Sequence, residues 1–182
     1  MAVGTVLEWN PSVTDVTMIG LRFGASIAAA AAALDSRISR LVLWDPVLDG
    51  NQYMQSVLRL NLMFQMALHG KVLENRDALV ARLAAREIVN IEGYGLTERL
   101  FKQVSAFQLR RVLQEFSGET FVVQVAPGPA DLKPELIDLA QGLQRCYLKT
   151  AQEEPFWKEI KTFYQRAPEL TRVTLQALGV SE

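Results

Sequence analysis

The chain has 182 residues, 49% hydrophobic and 21% charged, an ordinary globular composition that excludes a disordered or low-complexity protein. Nineteen basic residues against twenty acidic ones leave a net charge of −1. That field is too weak for a partner needing a strongly basic surface, so nucleic acid is not expected as a partner.

Residues 2–9 place Val3, Val6, Leu7 and Trp9 near helical spacing, and Asn10-Pro11-Ser12 stops that helix. Glu8 and the lack of an early basic run argue against a signal peptide. Val13 to Ile19 is β-branched and apolar, the composition of a buried strand. Gly20 to Gly24 predicts a tight turn, and Ala25 to Leu34 an alanine-rich helix ended by Asp35-Ser36-Arg37. The apolar run here is far shorter than the roughly 20 residues of a membrane span, so none is expected. Leu41-Val42-Leu43-Trp44 reads as a second buried strand, stopped by Asp45-Pro46. Strand, turn, helix and strand in so short a stretch make a βαβ unit, hence a right-handed crossover and a parallel sheet.

From Gln52 to about Gln108 the periodicity is helical, with Met54, Val57, Leu58, Leu60, Leu62, Met63, Met66 and Leu68 at three- and four-residue spacing. Asn75 and Asp77 can open a helix through Arg86, Gly93-Tyr94-Gly95 is a break, and Thr97 to Phe107 is helical again. Glu119 to Val125 returns to strand composition, Pro127-Gly128-Pro129 turns, and Leu132 to Leu143 is a helix with Pro134 in its first turn. Cys146 to Thr150 is a short strand, and Pro168 and Gly179 bracket a final helix. One cysteine and one histidine exclude an internal disulfide and a cysteine-based zinc site; no metal or cofactor is expected. Reduced thiol chemistry gives the cytoplasm as the expected address.

Gly20 and Gly24 flank Arg22 at two residues on either side, the frame of a G-x-S-x-G nucleophile elbow between strand and helix. The frame has a physical basis: the central residue adopts a strained conformation, and strand and helix pass so closely that its neighbours must lack bulk. With Gly20-Leu21-Arg22-Phe23-Gly24-Ala25, Leu41 to Val47, Gly93-Tyr94 and Glu154-Pro155-Phe156-Trp157, the chain resembles the α/β-hydrolase superfamily. Within it, the chain resembles the serine-aminopeptidase-like branch and, closer still, the exosortase-system-associated hydrolases. The resemblance implies an α/β fold: a partial, mostly parallel α/β-hydrolase-like sheet with flanking helices and a helical cap. It divides into residues 1–50 (elbow half of the core), 51–117 (cap) and 118–182 (C-terminal part of the core). It also implies hydrolysis of esters, amides or thioesters. The first half of such a sheet is not found here, which makes the chain a fragment or a shortened relative.

The triad departs from that pattern. Arginine stands at the nucleophile position, and a guanidinium has no lone pair with which to attack. Asp131 inherits the acid position, while Gln152 to Trp157 offers no histidine where the base belongs. The Ser–His–acid mechanism cannot run on these residues. Arg22 reads either as an anion or carboxylate contact, or as an ion pair with Asp131 or an arm reaching solvent. Asp131 reads as a retained acid, or as an ion-pair partner or helix cap. Asp45 is an alternative acid or a turn residue before Pro46. Ser26 is better read as a back-bonded helix serine, His69 as a helix C-terminal residue, and Cys146 as an inert core thiol. Phe23, Phe156 and Trp157 could line a ligand pocket, with core packing the plainer alternative for the last two. Met54, Met63 and Met66 read as helical core facing the sheet, with an adaptable groove as the alternative.

The reading that results is a non-catalytic or impaired hydrolase homologue binding a small acyl or anionic ligand, or a partner. The alternatives are an active hydrolase with a non-standard constellation using Ser26 or His69 with Asp131, and a partner-dependent fragment of a longer hydrolase. For that fragment, a homodimer would cover an open sheet edge.

Overall fold

The apolar, β-branched segments become strands in the computed structural model, which describes residues 2–157 and 166–180. The strands are β1 (Val16–Leu21), β2 (Ile38–Trp44), β3 (Val89–Ile91), β4 (Tyr94–Leu96), β5 (Glu119–Ala126) and β6 (Cys146–Gln152). The helices are α1 (Ala2–Trp9), α2 (Phe23–Ala33), α3 (Gly50–His69), α4 (Arg76–Ala84), α5 (Glu98–Ser105), α6 (Leu109–Gln114), α7 (Pro134–Gln141) and α8 (Pro168–Leu178). They form two compact units. One is built from residues up to Val47 and from Leu109 onward, the other from Leu48 to Gln108.

In the first unit, a four-stranded sheet runs in the order β1-β2-β5-β6 with every neighbouring pair parallel. Parallel strands covered on both faces need apolar side chains on both, and Leu41, Val42, Leu43, Val122 and Val123 are completely buried. Each such side chain contributes about 1.5–3 kcal/mol of hydrophobic stabilisation. Val42, Val123, Val125 and Ala151 meet Leu170, Val173 and Ala177 of α8, with Trp44, Phe121, Phe156 and Trp157 packed around them. Trp44 donates its indole N–H to Thr174 Oγ1 at 3.1 Å, and that hydroxyl donates to the Leu170 carbonyl at 2.7 Å. Helix α2 packs on β1, β2 and α6. Its small residues allow close approach, with Ala25, Ser26, Ala28, Ala29 and Ala32 buried. β1 lies at the edge of this sheet, with Ile19 46% exposed.

In the second unit, Asp49 caps α3 by accepting from the Gln52 N–H at 2.8 Å, and it also accepts from the Gln108 amide at 2.9 Å. These bonds, Gln108's first, hold its carboxyl below the usual range. A Cβ on Gly50 would lie 1.7 Å from the Val104 carbonyl oxygen, so only glycine lets α3 pass the end of α5. Asn75 and Thr97 cap α4 and α5 through their side chains. Two expectations are corrected here. The stretch read as helical from Gln52 to Gln108 contains an antiparallel hairpin, β3 with β4, turning at Glu92 (φ 53°) and Gly93 (φ 91°). Of the methionines expected in core, Met54 is buried, but Met63 and Met66 stand half exposed or more. No described helix is long and apolar enough to cross a membrane.

Candidate functional site

The carboxyl ends of β1, β2 and β5 bring together the side chains that matter. At the end of β1 the chain reverses into α2 through a single residue, Arg22, with φ 52° and ψ −122°. A non-glycine residue in that region is strained by about 1–3 kcal/mol and persists only where its surroundings enforce it. Three backbone bonds do so: the Arg22 N–H donates to the Trp44 carbonyl at 3.0 Å, and its carbonyl accepts from Ala25 at 3.1 Å and Val47 at 3.4 Å. Gly20 supplies the room. A Cβ there would sit 2.5 Å from Ala25 Cα and 2.6 Å from the Gly24 carbonyl oxygen. Gly24 differs from expectation, because a Cβ on it would meet nothing within 4 Å.

Adjacent to Arg22, at the end of β2, Asp45 is also left-handed, with φ 40°. The two are clasped together. Arg22 Nη1 donates to the Asp45 carbonyl oxygen at 2.9 Å and to Asp45 Oδ2 at 2.7 Å. Lys133 Nζ donates to the other carboxylate oxygen, Oδ1, at 3.0 Å. The Asp45 side chain is 9% exposed, against 38% for Arg22 and 46% for Lys133. Lys133 is brought there by β5: the buried Gln124 amide accepts from the Lys133 N–H at 2.8 Å and donates to the Asp131 carbonyl at 3.0 Å, clamping the turn before α7.

Asp131 itself is exposed, and its carboxylate pairs with no side chain among the described residues. The expected Arg22–Asp131 pair is therefore replaced by Arg22–Asp45, because β2, not the loop after β5, is the immediate neighbour of β1. Asp131 instead lines a groove of about 330 Å³ with Gln124, Ala126, Gly128, Thr150 and Gln152. Ser26 is buried and donates to the Val47 carbonyl at 3.1 Å, a bond across the loop rather than back along its own helix. His69 is the exposed last residue of α3, followed by Gly70 at φ 67°. Burial pushes the Cys146 thiol up to about 11, so at neutral pH it is protonated and a poor nucleophile.

Beyond β6, Glu153 accepts from the Glu169 N–H at 2.6 Å and so caps α8. Phe156 and Trp157 meet edge to face, centroids 5.1 Å apart, against the α8 side of the core. Phe23 is half-buried at the start of α2. Among the described residues no group of three or more His, Cys, Asp and Glu side chains is placed to hold a metal ion.

Solved structures share this fold. The α/β hydrolase GrgF from Penicillium sp. sh18 matches with a TM-score of 0.57 at 14% identity, over 97% of this chain and 69% of its own. MGS-M2, an α/β hydrolase from a Medee basin deep-sea metagenome library, matches with 0.54 at 16%, over 100% of this chain and 70% of its own. The fold is that of the α/β hydrolases. Est1E from Butyrivibrio proteoclasticus is a further match, with 0.52 at 12%, over 97% of this chain and 68% of its own. No family model matches the chain, and no curated protein does.

Sequence reasoning found Arg22 but missed Lys133 and Gln124, and gave Asp45 only a turn role as the plainer choice. One signal was available: an acidic residue directly after Leu-Val-Leu-Trp sits where a carboxylate is desolvated and demands a cation.

Proposed function

We propose that this hydrolase-fold chain is catalytically silent and binds a small acyl or anionic ligand, or a partner, at the junction of β1 with α2. The observation that carries the reading is the guanidinium of Arg22 in the left-handed elbow position, tied to Asp45 at 2.7 Å. Such a group cannot attack a carbonyl, yet it presents charge where the fold places its chemistry. The engaged Ser26 hydroxyl and the helix-capping Glu153 support the same reading. Arg22 and Phe23 are the proposed ligand contacts, with Phe156 and Trp157 as further candidates and residues 51–117 as the cap. The resemblance to serine-aminopeptidase-like and exosortase-associated hydrolases, the three-part division of the chain and a cytoplasmic location are parts of this proposal.

A panel of p-nitrophenyl esters tests it. The expected result is no turnover above that of Arg22→Ala, together with ligand-induced thermal stabilisation that Arg22→Ala abolishes. Turnover that survives purification and falls in Asp131→Asn overturns the reading.

A second reading, a homodimer joined through β1, is favoured by the edge position of that strand and the exposure of Ile19. Light scattering that shows only monomer excludes it.

A further inference from the structure

Resting on the non-catalytic reading above, we infer that Arg22 and Lys133 together form a binding site for a carboxylate monoanion, with Asp45 as the tether that orients both cations. Arg22 spends only Nη1 on Asp45, both of its protons going to the backbone carbonyl and to Oδ2. Nε and Nη2 have no acceptor among the described residues. These are the two nitrogens of one edge of the guanidinium, and they present parallel N–H bonds at the spacing of two carboxylate oxygens. Lys133 Nζ spends one of its three protons on Asp45 Oδ1.

Charge and accessibility point the same way. Two cations share one carboxylate, leaving one positive charge unmatched. Asp131, two residues from Lys133, gives Gln124 its backbone carbonyl and pairs its carboxylate with no described residue. The cations are 38% and 46% exposed while the tether is 9% exposed, so the two cations, not the tether, face solvent. The geometry is fixed beforehand: the Arg22 backbone is held by three hydrogen bonds, and the Lys133 backbone by Gln124. Fixing donors in advance lowers the ordering cost of binding. One unmatched charge and a planar fork select a planar monoanion over a phosphate dianion.

The test is calorimetric titration of the full chain with acetate, benzoate and octanoate, with methyl benzoate and inorganic phosphate as comparison arms. The Arg22 Nε–H resonance is followed by NMR. At least one carboxylate is expected to bind and shift that resonance, with methyl benzoate silent and phosphate weaker. Arg22→Lys keeps the charge but loses the fork and should weaken binding about tenfold or more. Lys133→Ala should weaken it by a smaller factor, which Lys133→Arg restores; melting curves confirm that each variant folds. Carboxylate binding that leaves the Arg22 resonance unmoved, or that Arg22→Lys does not weaken, overturns the assignment. So do phosphate binding more tightly than every carboxylate, and a chain that ignores all three carboxylates while leaving methyl benzoate intact. Hydrolysis of methyl benzoate would instead overturn the parent reading of a silent site.

Discussion

The carboxyl ends of β1 and β6 are equivalent places on one parallel sheet, and the chain uses them in opposite ways. At β1 the backbone is unusual, with φ 52° at Arg22, and the side chain is a guanidinium that cannot act as a nucleophile. At β6 the backbone is unremarkable and the side chain has a structural task, Glu153 capping α8. At β1 the strained conformation is held from behind, by three backbone hydrogen bonds of Arg22 and the room left by Gly20. The elbow's shape is thus present in a chain whose elbow side chain cannot attack a carbonyl.

The comparison breaks most sharply at the two glycines of the elbow. Gly20→Ala drives a Cβ into backbone and should cost about 3 kcal/mol, read as a fall in the urea midpoint at constant m-value. Gly24→Ala meets open space inside a helix and should be neutral, or stabilising by up to about 1 kcal/mol. Equal losses for the two would mean that the strain has another origin. At the β6 end, Glu153→Ala removes a charge-assisted cap and should cost about 1 kcal/mol without altering any ligand response at Arg22.

The gentlest probe is acid. Arg37 holds the Asp35 carboxyl down at about 2, from an ordinary 3.8, chiefly through a side-chain hydrogen bond. Arg40 and then Arg145 hold Glu119 below its ordinary value at the amino end of β5. A carboxyl held low in the fold contributes stability that is fully present above its unfolded value and is lost as pH falls through its folded one. The urea midpoint should therefore decline between about pH 4 and about pH 2. In Arg37→Gln, Asp35's share of that decline should disappear.

How far the sequence could be read follows from how local each feature is. The central strands of the main sheet announce themselves because parallel strands buried on both faces need apolar runs, as at Leu41 to Trp44 and Phe121 to Val123. The elbow is visible because its glycines answer a local steric demand. The hairpin at Glu92-Gly93 was hidden by three-residue strands inside a helical periodicity, although a two-residue loop ending in glycine is its usual mark. Helix α6, six residues long, is too short to show a period. The clasp of Arg22, Asp45 and Lys133 was the least legible part. It spans 111 residues of sequence and depends on β2 lying between β1 and β5, a fact of strand order that no window of sequence contains.

The clasp also bears on what position 22 can hold. Changing Arg22 to serine would strip Asp45 of its shortest ion pair and leave a nearly buried carboxylate to Lys133 alone. The effect of a hydroxyl at the elbow is thus coupled to the residue at position 45. The arginine is in that sense held in place by its partner: removing it alone lowers stability, whatever the elbow is used for.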